Sequence, residues 1–135
     1  MKTVFVDTNV FLRFFTRDEA GQHKRAVALF RDAEKGRISL VTGPPVLFEI
    51  AWTLQAAYKQ PNDKILSAVE ATKTFSGMTS TDGPIVENAV FIARNSGQAF
   101  ADAYLAALAE SVGADELATF NTKHFSELSM PLHRL

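Results

Sequence analysis

The chain contains no cysteine. Disulfide bonds and zinc sites with thiolate ligands are therefore excluded, and the absence fits a reducing compartment. Long apolar runs are also missing, because Asp7, Arg13 and Arg17 interrupt the apolar N-terminal segment. That segment is too short between charges to form a signal peptide or a membrane span. We therefore expect a cytoplasmic protein that does not associate with a membrane.

An excess of positive charge is likewise absent. The 135 residues carry a formal net charge of -1 at pH 7, which argues against a strongly basic nucleic-acid-binding protein but leaves room for a local basic patch. Hydrophobic residues make up 47% of the chain and charged residues 21%, which is typical of a globular domain. The length predicts one domain, covering residues 1–135.

Short apolar runs alternate with segments in which apolar residues recur every three or four positions. The runs predict strands at residues 4–6, 38–41, 78–81, 116–120 and 130–135. The periodic segments predict helices at residues 10–15, 19–35, 46–58, 63–75, 83–95 and 100–112. This alternation predicts an α/β fold, a three-layer α/β/α sandwich with a mostly parallel sheet of four or five strands. We expect the first strand to be buried on both faces.

Asp7 directly follows the first predicted strand. In open α/β sheets, ligands bind in the crevice beyond the carboxyl ends of the strands, so Asp7 is a candidate ligand-binding residue. Asp7 could instead serve only as the N-cap of the helix that begins near Val10. The residue alone does not distinguish a binding role from a capping role.

Glu49 and Asp102 stand out among the fifteen acidic residues. They are the only two without a charged, amide or hydroxyl-bearing Ser or Thr neighbour within two positions, and both lie in apolar predicted helices. The helix around Glu49 has too little polar surface to lie open to water, and no Lys or Arg occurs between Arg37 and Lys59. A buried carboxylate must protonate, meet a distant cation or bind a metal.

Two plainer interpretations stand beside metal binding. Glu49 could form a distant salt bridge or remain protonated in the core, and Asp102 could be favoured by the dipole at the start of its helix. If Asp7, Glu49 and Asp102 instead converge on one pocket, only a hard cation would relieve their mutual repulsion. Oxygen ligands of this kind select Mg²⁺ or Mn²⁺ rather than zinc.

Four segments together resemble the motifs of PIN-domain nucleases, in order and in spacing. They are Val4-Phe5-Val6-Asp7-Thr8-Asn9-Val10, the isolated Glu49 in its apolar helix, Phe100-Ala101-Asp102-Ala103 before an alanine-rich helix, and Ala118-Thr119-Phe120-Asn121. The resemblance covers almost the whole chain. Within the family it is greatest to the compact VapC-type toxins of bacterial and archaeal toxin-antitoxin pairs.

The resemblance implies a metal-dependent endoribonuclease in which an acidic cluster holds one or two Mg²⁺ or Mn²⁺ ions. Asp7, Glu49 and Asp102 would be the metal ligands and catalytic residues. Thr8, Asn9 and Thr119 would orient these ligands or their waters, although each could equally have a capping or turn role. The resemblance also implies a homodimer and a cognate antitoxin protein as partners.

Asn121 departs from the family pattern, because similar proteins commonly carry a fourth aspartate there. Asparagine is neutral and a poorer cation ligand, so the pocket would hold a formal charge near -3 and a second metal ion is in doubt. Arg13, Arg17 and Lys123 are candidates for binding the phosphates of an RNA substrate. A solvated helix face would also explain these cations.

Two alternatives remain open from the sequence. A haloacid-dehalogenase-like phosphatase would carry two aspartates separated by one residue at the strand end, and Asn9 stands where the second should be. A catalytically silent binding module would keep the fold with a degenerate site, which Asn121 favours.

The chain contains eleven phenylalanines, and their distribution indicates where a partner could bind. The aromatic residues that crowd the first and third helices suggest a contact surface, and these are Phe11, Phe14, Phe15, Phe48 and Trp52.

Overall fold

A computed structural model describes residues 1–135, with three strands and seven helices. In chain order the elements are β1 (Lys2–Phe5), α1 (Thr8–Thr16), α2 (Ala20–Glu34), β2 (Ile38–Thr42), α3 (Pro44–Ala56), α4 (Asn62–Thr74), β3 (Met78–Ser80), α5 (Gly83–Ser96), α6 (Phe100–Ser111) and α7 (Thr122–Phe125).

The three strands form one parallel sheet in the order β1-β2-β3, with Val4 opposite Leu40 and Leu40 opposite Met78. The predicted α/β class and parallel sheet are confirmed. The prediction of four or five strands is wrong, because residues 116–120 and 130–135 meet only in an isolated parallel bridge between Leu117 and Leu132. Pro131 lies beside this bridge and has no N–H group to extend a ladder of hydrogen bonds.

The position of β1 at the edge of the sheet changes its environment. We expected residues 4–6 to be buried on both faces, yet Val4 is only half-buried and Phe5 is exposed, and Val6 alone is buried. Phe5 leaves 62% of its surface in solvent. The prediction is wrong because nothing pairs with the outer edge of β1, and burial begins only at Val6, just beyond the strand.

The predicted helices are all present, with ends that shift by a few residues. Helix α1 begins at Thr8 rather than Val10, and α7 was not predicted. The side chain of Glu19 caps α2 by accepting hydrogen bonds from the N–H groups of Gly21 and Gln22. No helix has both the length and the apolar character needed to cross a bilayer.

The hydrophobic core is one cluster of 27 buried residues. Phenylalanine rings pack against one another where α1, α2 and the end of α4 meet. The rings of Phe30 and Phe75 stack with centroids 4.3 Å apart, and Phe11 lies fully buried beside both. Phe14, Phe15 and Phe48 pack against the same core. The predicted aromatic contact surface is therefore wrong for its four phenylalanines, which are Phe11, Phe14, Phe15 and Phe48. Of its five residues only Trp52 is exposed, with 69% of its surface in solvent.

Gly77 offers a direct test of how α2 packs beside β3. Its φ of 77° lies in the left-handed region, and a Cβ there would approach the Ala33 carbonyl oxygen to 3.1 Å. Gly36 has a similar φ of 75° but open space around it. We expect Gly77→Ala to lower the free energy of unfolding by about 2–4 kcal/mol and Gly36→Ala by about 1–2 kcal/mol. Urea titration of both variants measures the difference, and equal losses would contradict the packing against Ala33.

Candidate active site

The carboxyl ends of β1 and β2 lie side by side. The Val6 N–H group donates to the Val41 carbonyl oxygen at 2.8 Å, and the Thr42 hydroxyl donates to the Val6 carbonyl oxygen at 3.2 Å. Thr42 is fully buried, so water does not compete for its hydrogen bond. Because Asp7 follows Val6 and α3 begins at Pro44, Asp7 and the start of α3 share this edge of the sheet.

Asp7 occupies the N-cap position of α1 with extended backbone angles, φ -84° and ψ 164°. Its side chain makes no capping hydrogen bond, it takes part in no ion pair, and the residue is exposed. Capping therefore explains where Asp7 lies along the chain but gives its carboxylate no partner. The carboxylate also lies at the positive end of the α1 dipole, which favours a negative charge there.

The hydroxyl oxygen of Thr8 is the one buried side-chain polar atom that lacks a hydrogen-bond partner. Leaving such a group unsatisfied costs about 1–3 kcal/mol, so a native structure that contains one calls for an explanation. Thr8 directly follows Asp7, and a water or ion bound there would supply the missing partner. This orphaned atom is the strongest local sign of a ligand at the strand edge.

Glu49 lies on α3, where the sequence led us to expect a buried carboxylate. The residue is exposed instead, so that expectation is wrong. Trp52, one turn further along α3, is exposed as well, which shows that this face of the apolar helix meets solvent. Glu49 makes no hydrogen bond or ion pair through its side chain.

An aromatic cluster joins the helices that carry Glu49 and Asp102. The ring of Phe48, next to Glu49, lies 5.6 Å from the Phe100 ring and 4.9 Å from the Tyr104 ring, centroid to centroid. Phe100 and Tyr104 flank Asp102 on α6. The middle of α3 and the first turn of α6 are therefore packed together, with both acids near the contact.

Asp102 lies in the first turn of α6, and 26% of its side chain is exposed. The Nδ1 atom of His124 is 3.6 Å from its carboxylate and 3.0 Å from the side-chain nitrogen of Asn121. The structure thus brings Asn121 and Asp102 to the same imidazole. His124 follows Asn121 by three residues in the sequence, whereas its contact with Asp102 joins distant segments and has no local sequence signal.

The other polar residues of the motifs have different surroundings. The Thr119 hydroxyl accepts a hydrogen bond from the Asn121 N–H group at 3.0 Å, which is the turn role that its residue type allows. Asn9 is exposed and makes no side-chain hydrogen bond.

Asp82 is an acid that the sequence did not single out, because polar residues surround it. Burial raises the pKa of Tyr104, and the negative charge of Asp82 raises it further. The charge of Asp82 therefore lies close enough to influence Tyr104. It occupies the N-cap position of α5 without a capping hydrogen bond from its side chain, in a left-handed conformation with φ 55°.

The donor chemistry at this edge suits a hard divalent cation, since it consists of carboxylate oxygens and the unpartnered Thr8 hydroxyl. No group of three or more His, Asp or Glu side chains lies where it could hold a metal ion jointly. Mg²⁺ is commonly bound through one or two carboxylates and keeps several of its waters. The oxygens therefore fit a hydrated Mg²⁺ or Mn²⁺ rather than an ion enclosed by protein ligands.

The three predicted phosphate-binding cations differ in whether other side chains of the protein already bind them. Arg13 donates to the Gln22 side-chain oxygen at 2.6 Å and forms an ion pair with Asp18 at 3.2 Å. Hydrogen bonds from Tyr58 and Thr16, followed by the charge of Arg13, lower the pKa of Asp18. Arg17, at the end of α1, and Lys123, in α7, are exposed and have no ion-pair partner.

The sequence matches the PIN domain family over residues 4–129, so the chain belongs to that family. PIN domains are generally nucleases. Among solved structures, the chain is similar to VapBC2 from Rickettsia felis bound to a DNA fragment from its promoter, with 14% identity, 98% of each chain covered and a TM-score of 0.36. None of the curated proteins matches the chain.

Proposed function

We propose that this PIN-domain protein is a metal-dependent endoribonuclease that acts as the VapC-type toxin of a toxin-antitoxin pair. The observation that carries the proposal is the free carboxylate of Asp7, which holds an N-cap position without capping and adjoins the orphaned hydroxyl of Thr8. Family membership supports nucleic-acid cleavage, and the motifs at residues 4–10, 49, 100–103 and 118–121 support the narrower assignment.

In this proposal Asp7, Glu49 and Asp102 hold Mg²⁺ or Mn²⁺, directly or through water. Such an ion, when bound there, would supply Lewis-acid chemistry for activating water and offsetting charge on the leaving oxygen of the phosphodiester. Thr8 and Asn9 orient the Asp7 carboxylate and its waters, while Thr119 fixes the turn that presents Asn121. Arg13, Arg17 and Lys123 offset the charge of the substrate phosphates.

The partners in this proposal are an RNA substrate, a cognate antitoxin and a second copy of the chain as a homodimer, all within the cytoplasm. The slight negative net charge means that RNA affinity rests on few phosphate contacts. The match to the PIN domain family over residues 4–129 argues against a haloacid-dehalogenase-like phosphatase, which belongs to a different domain family. A silent binding module remains the outcome to exclude by experiment.

Incubation of the purified protein with a structured RNA pool tests the proposal. We expect cleavage with Mn²⁺ or Mg²⁺ and none with EDTA, and no hydrolysis of a small phosphoester under the same conditions. RNA that stays intact with either metal, from protein shown to be folded, would overturn the nuclease assignment. Phosphoester hydrolysis without RNA cleavage would favour the phosphatase.

Replacement of Asn121 by aspartate tests whether this position belongs to the metal site. We expect Asn121→Asp to tighten Mn²⁺ binding by about tenfold, because it adds a negative charge beside the cation. Calorimetric titration measures the affinity, with Gln60→Glu as a control that adds the same charge at an exposed position on another surface. An unchanged affinity in Asn121→Asp would remove this residue from the site.

A further inference from the structure

A groove runs between α1 and α2 and begins at Asn9, two residues after Asp7. Its volume is about 340 Å³, within the range of about 300–1,000 Å³ typical of small-ligand sites. Val10, Ala26 and Leu29 line it with apolar surface, and Arg13 and Arg25 supply positive charge. The groove thus combines an apolar floor with guanidinium groups beside the proposed active site.

We propose that this groove binds the nucleotide next to the cleaved phosphodiester, with the base on the apolar floor and its phosphate on Arg25. The inference rests on the proposed ribonuclease function and adds a position that selects the path of the RNA strand. It assigns a substrate-binding role to Arg25, which lies on α2 and belongs to none of the family motifs.

Arg25 is the free cation of the groove. Its side chain makes no hydrogen bond and no ion pair, whereas Arg13 is already engaged by Gln22 and Asp18. A guanidinium group without a carboxylate partner can bind phosphate through two parallel hydrogen bonds. Arg13, held by its two partners, shapes the end of the groove while part of its charge is offset by Asp18.

The position and the lining of the groove favour a nucleic-acid strand over an acidic peptide. An α-helix rises 1.5 Å per residue, so Arg13 lies about 6 Å along the α1 axis from Asn9 and about 9 Å from Asp7. A strand whose phosphodiester meets Asp7 therefore has this groove within reach of its adjoining nucleotide. A nucleotide carries a flat base and a phosphate together, which matches the apolar floor beside Arg25, whereas the charged side chains of an acidic peptide carry no apolar group of that size.

Lys24 provides a matched control because it precedes Arg25 on α2, carries the same charge and is also exposed. It does not line the groove. If RNA were held only by general electrostatic attraction to α2, replacing either residue would weaken RNA binding equally. If RNA binds in the groove, only the replacement of Arg25 should weaken RNA binding.

The test is fluorescence anisotropy with a labelled short oligouridylate, in EDTA so that no cleavage occurs. We expect Arg25→Ala to weaken RNA binding by about tenfold, since a charge-assisted hydrogen bond is lost, and Lys24→Ala to change it less than about twofold. The slope of log affinity against log salt should fall by about 0.7 in Arg25→Ala. An abasic chain of the same length should bind the wild type severalfold more weakly than oligouridylate.

Equal effects of Arg25→Ala and Lys24→Ala, or no effect of either, would overturn the proposal. Competition by a short acidic peptide that depends on Arg25, without any Arg25 dependence of RNA binding, would overturn it in favour of a protein ligand. Because the assay needs no cleavage, its failure is distinguishable from failure of the nuclease proposal. A protein that binds RNA through Arg25 but never cuts it would lose the proposed function and keep this site.

Discussion

Replacement of Asp7 by asparagine is expected to reduce the rate of RNA cleavage by at least about a hundredfold. Asparagine keeps the size and the N-cap preference of aspartate but removes the charge that would hold the cation. Loss of one well-placed electrostatic group at an active site typically costs about a hundredfold to a thousandfold in rate. The fold should not change, because the Asp7 side chain is exposed and makes no hydrogen bond.

Asp63→Asn is the matched control for this substitution. Asp63 lies in the first turn of α4, is exposed and forms no ion pair, so it is also an acid at a helix start. Single-turnover cleavage of a labelled RNA by both variants, with circular dichroism to verify folding, measures the effect. If Asp7→Asn cleaves as fast as Asp63→Asn, the Asp7 carboxylate takes no part in the reaction and only its capping position matters.

Replacement of Phe11 by alanine should have the largest effect on stability, a loss of about 3–5 kcal/mol in the free energy of unfolding. The Phe11 side chain is fully buried, with its ring 5.7 Å from the Phe30 ring and 6.1 Å from the Phe75 ring. Its removal leaves a cavity where α1, α2 and the end of α4 meet. A domain of this size has about 5–15 kcal/mol of stability in total, so the variant approaches the limit of folding.

Phe91→Ala is the corresponding control, because Phe91 leaves 67% of its surface in solvent. We expect this change to alter the free energy of unfolding by less than about 0.5 kcal/mol. Denaturation of both variants in urea, monitored by circular dichroism, gives the comparison. Similar losses in the two would mean that Phe11 is not buried in the aromatic core, and would contradict the packing of α1 against α2 and the end of α4.

The six longer helices were predictable because the apolar spacing within each one and the residues at its ends indicate the same segment. Gly36, Gly97 and Gly113 follow three of the predicted helices and have positive φ angles, as residues at helix C-termini often do. The core face of α4, with Ile65, Leu66 and Val69, also follows from the three- and four-residue spacing. Local sequence is sufficient where a helix carries its own boundary signals.

The strand count was not predictable in the same way. Residues 116–120 have the composition of a strand, but strand formation needs a partner that local sequence does not specify. The structure gives Leu117 a single bridge to Leu132 and leaves β1 at the sheet edge. The exposure of Phe5 follows from that pairing and not from its residue type.

The candidate site was predictable only in its outline. The position of Asp7 at a strand end and of Asp102 at a helix start follows from the pattern, and the structure has both there. The burial expected for Glu49 failed because an apolar helix can leave one face open, as Trp52 does on α3. The contact of His124 with Asp102 depends on tertiary packing between distant segments, for which the sequence has no local signal.

The central claim of the proposal is that Asp7, Glu49 and Asp102 act on one hydrated divalent cation, directly or through its waters, and paramagnetic broadening by Mn²⁺ tests it most directly. In an amide NMR spectrum of the wild type, substoichiometric Mn²⁺ should broaden the signals of Thr8, Ile50 and Ala103 together, while those around Asp63 stay sharp. The Asp7→Asn variant should lose this selective broadening. Broadening that spares these three segments, or that is equal at every exposed acid, would contradict a shared site.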